Sequence, residues 1–309
     1  MADEAKSAGR LESVLRAGEF AITAEMGPPD SVDPADVLAH AGCLKGLADA
    51  VNVLDGAGAR AHLSPLATAA ILVREGIEPV LQFTMRDRNR LALQADVLGA
   101  AALGVHSLLC LTGDSVDAGD QPETKPVFDL KSNEFMALVR TMRDEAELPG
   151  GRSLASAPRL LIGGADAPRE PKAGDTPTSL QAKIEAGADF FQTQFCFDMA
   201  MLKRYLAWLE DFGIPERTSI IVGIGPIRSA RSARWMNENL FGVHIPDAVI
   251  ARLDGAKDPQ AEGIRICVEL IEELQRIEGV AGAHLMAPRG EQAIAEVIAQ
   301  SGLRSAGGA

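Results

Sequence analysis

Short apolar runs alternate with helix-like segments along the whole sequence, and this alternation restricts the possible folds more than any other feature. Several of the runs are apolar throughout, as expected of parallel strands buried on both faces. Strands are predicted at Ala21–Met26, Asp49–Leu54, Pro79–Thr84, Ser107–Thr112, Arg159–Gly164, Phe190–Cys196, Ser219–Ile224 and Ala283–Met286. Helices are predicted at Asp33–Gly46, Ser64–Arg74, Arg90–Leu103, Ser132–Glu147, Ser179–Ala186, Met199–Asp211, Ala230–Asn239, Pro246–Leu253, Gly263–Ile277 and Gln292–Ile298. Such alternation implies a parallel sheet with right-handed crossovers.

Eight such units in 309 residues predict an α/β protein with the (β/α)8 TIM-barrel fold. No linker rich in Pro, Gly and Ser divides the chain, so residues 1–309 are predicted to form a single catalytic barrel domain with frayed ends at residues 1–9 and 304–309. A doubly wound open sheet is the alternative. In a barrel, the chemistry belongs to the loops that follow the carboxyl ends of the strands.

The glycines that follow the second run outline a dinucleotide-binding fingerprint, Gly56-x-Gly58-x-x-Ala61. A Rossmann fingerprint requires the helix to begin directly on the glycines, so that its N–H groups meet a pyrophosphate. Here Ser64-Pro65 is a typical helix start, with proline at the first helical position. The helix therefore begins past the glycines, and the pattern is weak support for a Rossmann domain.

The net charge of −13 excludes non-specific affinity for nucleic acid or for an anionic membrane. The N-terminal segment lacks an apolar leader, and no uninterrupted apolar run reaches membrane-spanning length. The four cysteines are far apart and include no CxxC pair, and none of the five histidines has a zinc-ligand spacing. These features predict a cytoplasmic protein that binds neither nucleic acid nor membrane and holds no metal.

Polar residues follow several strands at the predicted active end of the barrel. Glu25 ends an apolar strand before Gly-Pro-Pro, where a buried carboxyl is costly unless it is paired or functional. Arg86, Arg88 and Arg90 follow the third strand and could clamp an anion, or could form internal pairs with aspartates. Gln192 and Gln194 alternate along the sixth strand, where a purely structural strand would carry Val or Ile.

Taken together, these strand ends resemble the methylenetetrahydrofolate reductase family, a group of flavin-dependent barrel enzymes of one-carbon metabolism. The resemblance runs from the first strand to the eighth and is closest to the branch with a T-x-R-D-R-N loop and a V-F-D segment. The matching pieces are AEMGPP (24–29), TMRDRN (84–89), LTGD (111–114), VFD (127–129), KIEAGAD (183–189), QTQFCFD (192–198), GIGP (223–226) and PR (288–289).

The resemblance implies that NADH or NADPH reduces a bound FAD, which then passes hydride to 5,10-methylenetetrahydrofolate. By position, Glu25 would be the acid that opens the folate ring, and Asp114 would act beside the flavin pyrimidine. The substrate set would be Gln192, Gln194 and Arg289, with Arg289 at the benzoyl-glutamate end. The FAD set would be Gln82, Thr84, Arg86, Arg88, Asn89, Thr112, Gly113, Asp114, Lys183 and Ala188. The family also implies a homo-oligomer.

The chain departs from the family pattern at four places. Leu54-Asp55 replaces a common Thr-Tyr pair, Gln82 replaces a histidine, Thr112 replaces an arginine, and Ala230 stands where an aromatic often stacks on the ligand. Two other functions therefore stay open. One is a flavin-free lyase or aldolase-type barrel that uses Glu25 and Lys183, and the other is a folate- or flavin-binding subunit that needs a separate electron-transfer partner.

Overall fold

Eight parallel strands close into a barrel in the computed structural model, which describes residues 5–304. Each strand pairs with the next, and β8 pairs with β1, with Thr23 beside His284. The strands are β1 (Ala21–Met26), β2 (Ala50–Val53), β3 (Pro79–Thr84), β4 (Ser107–Leu111), β5 (Leu161–Asp166), β6 (Phe190–Phe195), β7 (Ser219–Ile224) and β8 (Val280–Leu285). The predicted barrel is confirmed, and the open sheet is wrong because an open sheet would leave two edge strands unpaired.

Apart from the first, the helices follow the order predicted from the sequence. They are α1 (Arg10–Arg16), α2 (Pro34–Ala41), α3 (Pro65–Arg74), α4 (Arg90–Ala102), α5 (Ser132–Asp144), α6 (Thr178–Glu185), α7 (Met199–Glu210), α8 (Ala230–Asn239), α9 (Asp247–Gly255), α10 (Pro259–Leu274) and α11 (Glu291–Ser301). The largest difference at a helix start is in α10, which begins four residues before the predicted start because Asp258 accepts the N–H groups of Gln260 and Ala261. No helix among residues 5–304 is long and apolar enough to cross a membrane.

The amino-terminal end of the barrel is closed by α1, which the sequence analysis did not predict. Leu11 and Val14 of this helix pack against the inward-facing residues of the lowest barrel layer. Those residues are Ala21, Ala50, Val80, Leu109, Leu161, Phe190 and Ile221. The ring of Phe190 fills the centre of the layer over Gly163, where an added Cβ would lie 2.4 Å from the ring. Side chains therefore fill the barrel interior at its amino-terminal end, which forms the floor of the barrel.

Two buried carboxylates tie the ends of the described chain to this floor. Asp189 pairs with Lys6 at 2.7 Å and with Arg143 at 2.7 Å. Asp49 accepts hydrogen bonds from the backbone N–H of Ile22 and from Arg304, both at 2.9 Å. Lys6 and Arg304 are therefore held by ion pairs, while the part of the predicted frayed ends at residues 1–4 and 305–309 lies outside the described residues.

Candidate active site

A cleft of about 870 Å³ opens at the carboxyl ends of the strands, and a second cavity of about 540 Å³ adjoins it. The second cavity lies between the loops that follow β1 and β8. Glu25, Leu54 and Ala57 line both spaces, so the carboxylate of Glu25 stands where they meet. A ligand in either space can therefore reach this carboxylate.

The structure brings most of the predicted site residues to this mouth. The residues that line the large cleft include Glu25, Gln82, Thr84, Thr112, Gly113, Asp114, Lys183, Gln192 and Gln194, and Arg289 lines the second cavity. Four predicted cofactor residues, Arg86, Arg88, Asn89 and Ala188, line neither space. Asn89 instead caps α4 by accepting the N–H groups of Leu91 and Ala92.

Glu25 lies at the end of β1 with its side chain 18% exposed. Oε2 of Glu25 lies 3.8 Å from Nε2 of His284 on the neighbouring strand β8. Within residues 5–304 the carboxylate takes part in no closer hydrogen bond, so its oxygens are available to a ligand. A carboxyl group in this setting can give a proton to a bound substrate.

A buried layer of polar side chains lies directly below Glu25. Gln192 exchanges two hydrogen bonds with Asn52, one of 2.6 Å and one of 3.0 Å, and its Nε2 also donates to Thr23 Oγ1 at 3.0 Å. Thr23 Oγ1 in turn lies 2.9 Å from Nδ1 of His284. All four side chains are at most 3% exposed. Buried polar groups are tolerated when they are hydrogen-bonded, and here each one has a partner.

Gln82 on β3 also lies within the barrel but has no such partner. The residue is 5% exposed and lines the cleft, and within the described part of the chain its amide makes no hydrogen bond. The amide nitrogen and oxygen are open to the cleft rather than enclosed in the core. Gln82 is therefore suited to hydrogen-bond a molecule in the cleft.

Lys183 on α6 supplies a cation to the cleft. Its Nζ donates to the backbone oxygen of Ala165 at 2.6 Å, which leaves two N–H bonds for other acceptors. Burial lowers the pKa of Lys183, and the neighbouring carboxylate of Asp166 partly opposes this shift. The pKa of Asp166 is raised by burial, although the hydroxyl of Tyr205 donates to its carboxylate at 2.7 Å.

The guanidinium of Arg86 is engaged in contacts within the protein. The residue is 3% exposed and donates to both oxygens of Asp87 at 2.7 Å. Its remaining contacts are with two backbone oxygens, Gly56 in the loop after β2 at 3.0 Å and Asp114 in the loop after β4 at 3.2 Å. Arg86 thus joins the loops that follow three strands.

Arg88 is engaged in a similar way, because its guanidinium pairs with Asp55 and with Asp96. Asp55 also accepts the N–H and hydroxyl of Thr84, at 2.7 and 3.0 Å. This aspartate stands where the family resemblance implies an uncharged residue. The departure in the loop after β2 therefore supplies the ion-pair partner of Arg88.

The glycine loop after β2 packs against the loop after β4 rather than beginning a helix. Gly56 and Gly58 have positive φ angles of 58° and 62°, and α3 does not begin until Pro65. The N–H of Gly58 donates to the exposed carboxylate of Asp114 at 2.8 Å. This arrangement agrees with the weak support that the sequence offers for a Rossmann fingerprint.

Several residues that line the cleft are not among those predicted from the sequence. His284, Asp166, Arg169 and Phe241 all line the cleft. His284 carries a usable signal, since strand alternation places it on the inward face with Met286. Phe241 is 90% exposed between α8 and α9, and no sequence pattern distinguishes it from an ordinary loop residue.

Comparisons with known proteins agree on one family. The family profile described as methylenetetrahydrofolate reductase matches residues 10–302. A probable methylenetetrahydrofolate reductase (NADPH) of Caenorhabditis elegans is 26% identical over 76% of this chain and 34% of its own length. Methylenetetrahydrofolate reductase 1 of Schizosaccharomyces pombe is 27% identical over 82% and 40% of the two lengths. For the 5,10-methylenetetrahydrofolate reductase of Pectobacterium carotovorum, the identity is 25% over 68% and 65%.

The chain thus spans about a third to two thirds of the length of these relatives. Among solved structures, an uncharacterized protein from Clostridium thermocellum has a TM-score of 0.59 at 17% identity, over 93% of this chain and 97% of that one. That protein is described as binding two copies of 5-methyl-5,6,7,8-tetrahydrofolic acid. The EDTA monooxygenase of Chelativorans sp. BNC1 has a TM-score of 0.55 at 11% identity, over 91% and 92%. At these identities the likeness extends to the fold alone.

Proposed function

The chain belongs to the methylenetetrahydrofolate reductase family, and from this premise we propose that it reduces 5,10-methylenetetrahydrofolate to 5-methyltetrahydrofolate with bound FAD and with NADH or NADPH as reductant. The observation that carries the proposal is the position of Glu25, where the cleft and the second cavity meet. A single ionisable carboxyl that both spaces share suits a reaction in which one proton must reach the substrate.

Three features of the cleft fit a flavin. The amide of Gln82 is open to the cleft and has no partner among residues 5–304, Lys183 has two N–H bonds to spare, and Gly113 has a φ of 93°. A Cβ at Gly113 would lie 3.1 Å from that of Thr84, so the glycine lets the loop after β4 pack closely on the end of β3. When bound, FAD would supply two-electron hydride chemistry. Lys183 faces the cleft and would meet the negative charge of the cofactor, since Arg86 and Arg88 are paired with aspartates.

Other residues of the chain would supply the proton and bind the folate substrate. Glu25 would hold the proton that N10 of the folate takes up when the methylene bridge opens, because N10 must leave as a neutral amine. Gln194 would hydrogen-bond the pterin with its Nε2, since its Oε1 already accepts the N–H of Phe195 at 2.9 Å. Arg289, exposed in the second cavity and without a side-chain partner among residues 5–304, would attract the glutamate carboxylates.

Glu25→Gln tests this assignment because it removes the ionisable proton and preserves the size of the side chain. A positioned acid is worth roughly 10²–10⁴-fold in rate. We expect the variant to bind flavin and to be reduced by NAD(P)H at the normal rate, while its reoxidation by methylenetetrahydrofolate slows by about that factor. Rapid-mixing absorbance measurements follow each half-reaction separately.

Glu12→Gln is the matched control. Glu12 is a buried glutamate at the opposite end of the barrel, where it accepts the N–H groups of Lys6 and Ser7. The two N–H groups bind different oxygens of Glu12, so the amide can accept only one of them and the variant loses some stability at this end of the barrel. The candidate site lies at the other end, so both half-reactions of the folded variant should keep their rates. Equal losses in the two half-reactions of Glu25→Gln would mean that Glu25 is structural, and no loss would place the acid elsewhere.

A second candidate, a flavin-free lyase that forms a Schiff base, is favoured by one observation. Burial lowers the pKa of Lys183, and a lysine that is more readily neutral is a better nucleophile. A purified protein with flavin absorption bands would exclude this candidate, whereas a colourless protein whose Lys183 is trapped by borohydride with a carbonyl substrate would support it. Oxidation of NAD(P)H by the isolated chain would exclude a required electron-transfer partner.

We further propose, from family membership, that residues 1–309 act as a single catalytic domain in a cytoplasmic homo-oligomer. Light scattering after size-exclusion chromatography measures the oligomeric state directly.

A further inference from the structure

We infer that His284 is a positioning residue whose tautomer is set by the polar layer beneath it, so that Nε2 carries the proton and directs it at Glu25. The catalytic consequence of this inference rests on the proposed function, whereas the tautomer itself does not. His284 is 3% exposed and meets no charged group among the described residues other than Glu25, because the layer around it consists of uncharged side chains.

The proton positions follow from counting donors, beginning with Asn52. The two amides are oriented so that Nδ2 of Asn52 donates to Oε1 of Gln192 at 2.6 Å. The two hydrogens on Nε2 of Gln192 then go to Oδ1 of Asn52 and to Oγ1 of Thr23, both at 3.0 Å. Thr23 thus receives one hydrogen bond and still has its own hydrogen to donate.

That hydrogen goes to the imidazole. Thr23 Oγ1 lies 2.9 Å from Nδ1 of His284, so Nδ1 is the acceptor and the proton of the neutral ring resides on Nε2. The hydroxyl of Thr23 therefore favours the tautomer with the proton on Nε2.

The protonated Nε2 faces Oε2 of Glu25 at 3.8 Å, and no other described side chain binds that oxygen. Catalytic hydrogen bonds are often long without substrate and shorten when it binds. An N–H that binds Oε2 leaves Oε1 to carry the acidic proton. The layer thereby selects which oxygen of Glu25 delivers a proton and holds that oxygen toward the junction of the two cavities.

The free-energy cost of burying polar side chains in this layer supports a functional role for them. Parallel barrels fill their interior with branched apolar residues, whereas this layer buries a threonine, two amides and an imidazole. Replacing both partners of a buried hydrogen bond by apolar groups of the same shape is often neutral or stabilising. Stability alone therefore does not require these four residues.

The tautomer can be measured by NMR on uniformly ¹⁵N-labelled protein at a pH where the imidazole is neutral. The chain has only five histidines, and His284→Gln identifies the signals of His284 by their loss. We expect a protonated Nε2 and an unprotonated Nδ1 in the wild-type protein and in Thr23→Ser, and a mixture of tautomers in Thr23→Val. A protonated Nδ1 in the wild-type protein would overturn the inference, and this measurement needs no variant other than the one used for assignment.

The kinetic test separates positioning from folding. Thr23→Val should slow reoxidation of the reduced enzyme by methylenetetrahydrofolate about 10-fold or more, because small misplacements of a reacting group are costly. Reduction by NAD(P)H should be unchanged, and Thr23→Ser should restore the rate. In a Glu25→Gln background, Thr23→Val should have no further effect.

Equal slowing of both half-reactions, or an additive effect in the double variant, would refute the positioning role. A wild-type protein that has the expected tautomer but does not reduce methylenetetrahydrofolate would refute the proposed function and support the structural part of the inference.

Discussion

Truncating Arg86 to alanine distinguishes a structural arginine from a cofactor ligand. The family resemblance places Arg86 in the FAD set, whereas in the structure its guanidinium contacts Asp87 and the backbone oxygens of Gly56 and Asp114. Among residues 5–304, Arg86 is the one side chain of the loop after β3 that hydrogen-bonds both the loop after β2 and the loop after β4. Arg86→Ala should therefore destabilise the protein even when no flavin is present.

The expected loss in the free energy of unfolding follows from the two hydrogen bonds to backbone oxygens. Hydrogen bonds that involve a charged group contribute about 1.5–3 kcal/mol each, and truncation leaves both carbonyl oxygens without this donor. The pair with Asp87 adds little, because that carboxylate is 41% exposed. The free energy of unfolding should fall by about 3 kcal/mol or more, which lowers the ratio of folded to unfolded protein by at least about 100-fold.

Urea unfolding of the flavin-free protein measures this loss, followed by far-UV circular dichroism and by the fluorescence of the two tryptophans. Coincident transitions are required before a two-state free energy is extracted. Arg90→Ala is the control, because Arg90 makes the same two-pronged contact with Asp129 at 2.9 Å but is 54% exposed, and solvent screens such a pair. Equal urea midpoints for the two variants would refute the reasoning and leave Arg86 available as a phosphate ligand.

Two further predictions concern the carboxylates at the mouth of the barrel. Tyr205→Phe should cost about 1–2 kcal/mol at neutral pH and should raise the pKa of Asp166 further, because the lost hydroxyl stabilises the ionised carboxylate. The gap to the wild-type protein should narrow as the pH falls through the raised pKa of Asp166, and thermal melts at several pH values will show whether it does. Asp114→Asn should raise the flavin reduction potential by removing a negative charge, while its amide oxygen can still accept the N–H of Gly58. An unchanged potential in a dye-linked reductive titration would remove Asp114 from the vicinity of the flavin.

The site was predictable where one strand carries the signal and unpredictable where two distant strands share it. Glu25, Gln82 and Gln194 each follow or interrupt an apolar strand, so their position at the barrel mouth follows from local sequence alone. His284 acquires its role from Thr23, 261 residues away, and the two meet only because β8 closes against β1. No pattern within either strand indicates that β8 pairs with β1.

The contacts of the arginines after β3 were likewise not predictable from local sequence. Three arginines in five residues indicate a cluster of positive charge, but the direction of each guanidinium depends on which acceptor lies nearest. Arg86 is turned by backbone oxygens from the loops after β2 and β4, and Arg88 by Asp55. These acceptors come from other loops, so only the folded chain brings them together.

The sequence by itself determined the barrel, because each strand and each helix carries its own hydrophobic period, and eight repeats of that period have few ways to pack. It did not determine α1, whose seven residues would not be stable as an isolated helix and are held by packing of Leu11 and Val14 against the barrel floor. Nor did it determine which polar residues face a ligand and which face each other. Those choices depend on hydrogen-bond partners far apart in the chain, and closure of the barrel brings them within 3 Å of one another.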